Sequence, residues 1–104
     1  MKLKNGVSLY GLHPKMQVAN GIAAVIYQEA GQELVVTAGL DGKHGDNSLH
    51  YKGRACDYRT WYFSDEQKKE VVQELARRLG DDYDVVLEAT HIHCEYDPTN
   101  PKII

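Results

Sequence analysis

The chain has 104 residues, 42% of them apolar and 26% charged, which suits one soluble domain (1–104) able to bury a modest core without disulfides. Its net charge of −3 comes from 15 acidic and 12 basic side chains mixed along the sequence, so it carries no electrostatic footprint for nucleic acid or an anionic membrane. No apolar run approaches the roughly 20 residues of a membrane helix, and residues 1–6 lead into no apolar h-region; synthesis in a cytoplasm with no signal peptide is expected.

Pro14, with apolar Val18, Ala19, Ile22, Val25 and Ile26, predicts an amphipathic helix of about four turns that stops near Gly31. His13, just before it, reads as a helix-start residue. Residues 34–38, a short β-branched run, predict a strand, and the glycine-rich polar stretch 39–47 a loop. A second strand is expected over Ala55, Cys56, Asp57, Tyr58 and Arg59. Ser64 caps a second helix, with Gln67 completing a capping box. Its buried stripe is Val71, Val72, Leu75, Ala76 and Leu79, and Gly80 ends it. Residues 84–89 and 91–96 are the last two strand-like runs, turned around Thr90, and Pro98 and Pro101 mark an extended tail. This order predicts an α+β domain, a small, mostly antiparallel sheet with two helices packed on one face.

Four of the five histidines fall in or beside two short segments, residues 48–57 and 88–93. Zinc chemistry needs N or O ligands from three side chains, and a neighbouring carboxylate or histidine to move protons. These segments hold that inventory. Equal parity on a strand puts His91 and His93 on one face and turns Ile92 and Cys94 to the core. A turn at Gly53 would bring His50 and Asp57 back to one metal, with Ala55 leaving room beside Asp57. By the same parity Cys56 and Cys94 face away. They read as buried small hydrophobes, too few for a disulfide framework.

Residues 48–57 fit Ser-x-His-x-x-Gly-x-Ala-x-Asp, and on these residues the chain resembles the M15-type zinc D,D-peptidases and L-alanyl-D-glutamate endopeptidases. His91-Ile92-His93 resembles the second element of that family, and His91-Ile92-His93-Cys94 also resembles the zinc site of the hedgehog signalling domain, a relative of these peptidases. The layout is similar to short peptidase-like proteins of tailed bacteriophages, and the implied fold is hedgehog/D,D-peptidase-like. The resemblance implies His50 and Asp57 as the first two Zn²⁺ ligands. Relatives with His-x-His use its second histidine, here His93, and leave His91 to stabilise the oxyanion; relatives with Glu-x-x-His would use His91. His93 is preferred, because Glu88 then lies five residues before the ligand, and in either alignment Glu88 is the general base. Family members carry a carboxylate-binding arginine in the loop before the first motif; here Lys43, His44 or Arg59 would have to substitute.

The resemblance therefore implies a monomeric zinc metallopeptidase that hydrolyses an amide in the peptide stem of bacterial peptidoglycan. Such an enzyme would be made in a phage-infected or prophage-bearing host and act at the cell wall, in lysis or cell entry. The rival reading is a zinc-binding domain of this type without hydrolysis, serving as a virion structural or interaction module. Plainer readings stand beside these. Glu88 also reads as an ordinary solvated carboxylate, Ser48 as a loop-ordering hydroxyl, and Lys43 and His44 as a solvated loop tip. Tyr58, Trp61, Tyr62 and Phe63 read as core packing, with glycan contact as the alternative.

Overall fold

The computed structural model describes residues 1–40, 50 and 52–98. Its elements run β1 (Lys2–Leu3), α1 (Pro14–Glu29), β2 (Val35–Ala38), β3 (Ala55–Arg59), α2 (Asp65–Leu79), β4 (Tyr83–Leu87) and β5 (His91–Tyr96). The five strands form one sheet in the order β1-β2-β3-β5-β4. The fold is α+β, as expected, but the sheet is mixed: β1 runs parallel to β2, while the other pairs are antiparallel. Both residues of β1 are exposed, so no apolar alternation announces it. It is held by backbone bonds instead, Lys2 N–H to the Leu34 carbonyl at 2.8 Å and Lys4 N–H to that of Val36 at 3.0 Å.

Helix α1 starts where Pro14 places a residue with no N–H and a preset φ in the first turn. The His13 ring nitrogen Nδ1 caps it by accepting from the Lys15 N–H at 3.0 Å. Its buried face differs from the expected one. Met16, Ala19, Asn20, Ala23, Ile26 and Tyr27 are buried, whereas Val18 and Val25 are 55% and 50% exposed. The helix is apolar on several sides, so sequence period alone leaves its rotation open. Two polar groups fix it. Asn20 accepts from the Tyr58 hydroxyl at 2.6 Å, and the Tyr27 hydroxyl donates to the Arg59 carbonyl at 2.8 Å. A buried amide is tolerable only with such partners, so the rotation that satisfies Asn20 prevails over the one that would bury Val18 and Val25.

Helix α2 opens with the reciprocal capping box: Ser64 Oγ accepts from the Gln67 N–H at 3.1 Å, and Gln67 Oε1 accepts from the Ser64 N–H at 3.0 Å. Asp65 and Glu66 in its first turn, and Arg77 and Arg78 in its last, both complement the helix dipole. Val71 and Leu75 are buried and Val72 and Leu79 partly so, but Ala76 is exposed, narrowing the expected stripe.

Buried residues of both helices share one core cluster with Val36, Cys56, Tyr58, Ile92 and Cys94. In β3 and β5 these sheet residues have a single parity, so the helices cover one face and leave the opposite parity for a site. Tyr58 and Phe63 are core residues; Trp61 is 73% exposed. Among the described residues no helix is long and apolar enough to cross a membrane. Lys43, His44, Ser48 and Pro101 lie outside the described residues.

Candidate metal centre

The register of β3 against β5 sets Asp57 opposite His93, Arg59 opposite His91 and Ala55 opposite Glu95. All six share the face that the helices leave uncovered. His50 reaches this face through the turn at Gly53, whose N–H donates to the His50 carbonyl at 3.1 Å. Gly53 has φ +70°, and a Cβ there would lie 2.5 Å from the Gly11 carbonyl oxygen, so both backbone angle and space demand glycine. The Gly53 carbonyl in turn accepts from the His13 N–H at 2.9 Å, pinning the turn to the start of α1.

The result is a tight cluster. His50 Nε2 lies 3.2 Å and His93 Nδ1 2.9 Å from the same Asp57 oxygen, Oδ1. One ligand-type atom from each of the three residues lies within 4.8 Å of the others. Two ligands on a tetrahedral zinc, each about 2.0–2.1 Å from the metal, are about 3.3 Å apart. The two observed separations are close to that edge, so the donor set fits a zinc ion in both chemistry and spacing. The site is sheltered, with side-chain exposure of 4% for His50, 13% for Asp57 and 20% for His93.

Electrostatics follow from the packing. Burial works to raise the Asp57 carboxyl, but hydrogen bonds from His50 and His93 and the nearby charges of His50 and His91 outweigh it. The group is held well below the usual carboxylate range. His93 is raised above its ordinary value by its bond to Asp57, against burial, with Glu95 adding to the rise. On the opposite face burial pushes the Cys94 thiol up to about 12, so it stays protonated and apart from the cluster.

His91 stands at the rim. Its Nε2 is 3.6 Å from Asp57 Oδ2, and its Nδ1 is 3.0 Å from the Thr90 hydroxyl. It lines a cleft of about 250 Å³ with Lys4, Thr37, Ala38, Asp57, Arg59, Trp61 and Thr90. Arg59 stacks its guanidinium 4.1 Å from the Trp61 ring centre. Of the three candidates to replace the family's arginine, Arg59 is therefore at the cleft; Lys43 and His44 are outside the described residues. Glu88 is exposed, follows β4 and does not line the cleft; its backbone N–H donates to the His91 carbonyl at 2.8 Å. Glu95, two residues beyond His93 on the same face, was missed by the sequence reading: its Oε1 lies 2.9 Å from His93 Nε2. The parity rule that paired His91 with His93 extends to it.

Residues 8–95 match the family model of the hedgehog amino-terminal signalling domain. The chain is 40% identical over 73 residues to the Indian hedgehog protein of Gallus gallus, a match covering 68% of this chain and 18% of that protein. It is 38% identical over 79 residues to the Sonic hedgehog protein of Xenopus laevis, covering 74% and 18%. With the Tiggy-winkle hedgehog protein of Danio rerio it shares 39% over 72 residues, covering 67% and 17%. The chain thus spans under a fifth of the length of these relatives.

These matches overturn the functional half of the sequence reading. The relatives are named as hedgehog proteins of animals and the matched domain as a signalling domain, so neither a zinc metallopeptidase nor a virion module is supported. Peptidoglycan stem peptide is not supported as the partner, nor are a phage-infected or prophage-bearing host and the cell wall as the place of action, since the relatives matched are hedgehog proteins of animals. Glu88 and His91 are left with no peptidase reaction to serve. The physical reason for the error is that a ligand motif specifies a metal geometry, and one such geometry serves more than one function.

Proposed function

Because this chain belongs to the family of the hedgehog amino-terminal signalling domain, we propose that it is a zinc-bearing signalling domain that acts by binding a partner protein. In this reading residues 1–104 form one domain, and the Zn²⁺ ligands are His50, Asp57 and His93. The observation that carries it is the coincidence of a three-residue donor cluster with the matched stretch 8–95. The motif likeness to zinc D,D-peptidases is kept as kinship of the metal site alone.

When bound, zinc would tie the turn carrying His50 to the β3–β5 ladder. The residues of this chain do the rest. Asp57, already ionised, offers its oxygen without a proton to lose. The Gly39 carbonyl, 2.9 Å from His50 Nδ1, fixes that ring. His91, Arg59 and Trp61 border the cleft beside the cluster and form its contact surface for the partner.

Two measurements test the reading. Purified protein should carry stoichiometric zinc, and His50→Ala and Asp57→Ala should each lose it; zinc retained in both variants defeats the ligand assignment. Added to vertebrate cells that respond to the Sonic hedgehog protein, the zinc-loaded chain should either trigger that response or compete with it. Absence of both effects at saturating protein would defeat the signalling assignment.

A further inference from the structure

We propose that Glu95 is a positioning residue of the metal centre: it holds Nε2 of His93 and so makes Nδ1 the ligating atom of that ring. The inference rests on the zinc reading above and deepens it. A neutral imidazole keeps one proton, and a nitrogen that ligates must be the one without it. Whatever accepts a hydrogen bond from one ring nitrogen therefore decides that the other meets the metal.

At His93 the two sides of the ring differ in chemistry and direction. Nδ1 faces Asp57 Oδ1 at 2.9 Å, inside the donor cluster, and Nε2 faces Glu95 Oε1 at 2.9 Å. His50 is set the other way round. Its Nδ1 meets the Gly39 carbonyl, which can only accept, so Nε2 is turned to Asp57. One histidine thus ligates through each kind of nitrogen. A backbone carbonyl fixes the first ring and a carboxylate the second.

The strand register explains why Glu95 can do this. It is two residues from His93 on one strand and so shares its face. Across the ladder it stands opposite Ala55, whose methyl leaves room for the carboxylate to fold back on the imidazole. The same comparison separates His93 from His91, the other candidate ligand. Behind His93 lies a carboxylate, which raises the basicity of the ligating nitrogen; behind His91, among the described residues, lies the Thr90 hydroxyl. His91 also stands farther from Asp57, at 3.6 Å. Glu95 itself belongs on the outside, because it contacts the ring nitrogen that points away from Asp57.

The test reads zinc affinity and ring protonation together, on the full chain. Zinc competition against a chromogenic chelator should show Glu95→Ala binding about 10–100-fold more weakly than wild type. Glu95→Gln, which keeps an acceptor oxygen, should recover most of that loss. In ¹⁵N spectra of zinc-loaded wild type, His93 should be metal-bound at Nδ1 and protonated at Nε2, and His50 the reverse. The spectrum needs no variant, so it stays decisive if Glu95→Ala fails to fold. A wild type that binds no zinc would overturn this inference and the zinc reading together. Three outcomes overturn this inference alone, with zinc still bound by wild type: His93 metal-bound at Nε2, unchanged affinity in folded Glu95→Ala, or loss of stoichiometric zinc in Glu95→Gln, which would make Glu95 a ligand.

Discussion

The two faces of the β3–β5 ladder differ in almost everything except their backbone. On one face Cys56, Tyr58, Ile92 and Cys94 are fully buried beneath the helices. On the other, Asp57, His91, His93 and Glu95 sit half-sheltered and linked by polar contacts. Alternate residues of the same two strands supply both sets, so a single register decides core and site at once. A slip by one residue would put Asp57 among the helices and Ile92 in the cleft. The core therefore acts as the ruler by which the donor atoms are set to their spacing.

The strongest way to break this comparison is to empty the core side. Ile92→Ala should cost about 2–5 kcal/mol, from lost burial plus the cavity left behind. Denaturant melts should show the same loss in metal-free and zinc-loaded protein, because the change lies on the face away from the donors. A loss confined to the zinc-loaded form would show that the two faces are not separable in this way. The next effect lies on the metal side. Zinc held a hundredfold above its dissociation constant should stabilise wild type by about 2.7 kcal/mol. Asp57→Asn should abolish that increment in thermal melts while leaving the helices folded by circular dichroism.

Ser64→Ala touches neither face. Losing its cap on Gln67 should cost about 1 kcal/mol and leave zinc affinity unchanged, a control for general destabilisation read by melts and chelator competition. The smallest effect is in pH. In metal-free protein the raised pKa of His93 contributes stability that is fully present below its ordinary 6.5 and is lost as pH rises through the folded value. Asp57, shifted down, contributes stability that is present above its ordinary 3.8 and is lost as pH falls toward the folded value. Metal-free stability should thus be greatest between those limits. Zinc-loaded protein should instead gain on going through neutrality, since ligation needs the unprotonated ring. Melts of chelated and loaded samples across pH should diverge; parallel curves would exclude His93 as a proton-linked ligand.

Much of the frame is legible in the residues. The Ser64–Gln67 capping box, Pro14 at the head of α1 and the alternation through Cys56, Asp57 and Tyr58 each act locally, and each appears where those local rules place it. What escaped depends on distant partners. β1 exists because Lys2 and Lys4 find the carbonyls of Leu34 and Val36, which no pattern within residues 1–6 encodes. The rotation of α1 depends on Asn20 meeting Tyr58, 38 residues away. At the site, parity gathers His91 and His93 and reaches Glu95, but local sequence says nothing of which ring nitrogen points where. Function was misread for a different reason, since the motif names a metal and is silent on its use.

The chain order of the donors also has a consequence in time. Asp57 and His93 are 36 residues apart, with α2 and β4 between them. On a ribosome adding about 5–20 residues per second, the last donor follows Asp57 by about 2–7 s. Throughout that delay His50 and Asp57 would be only part of the donor cluster. With the ligand set proposed above, metal capture would wait until β5 pairs with β3, and its kinetics would serve as a clock for the last long-range step of folding.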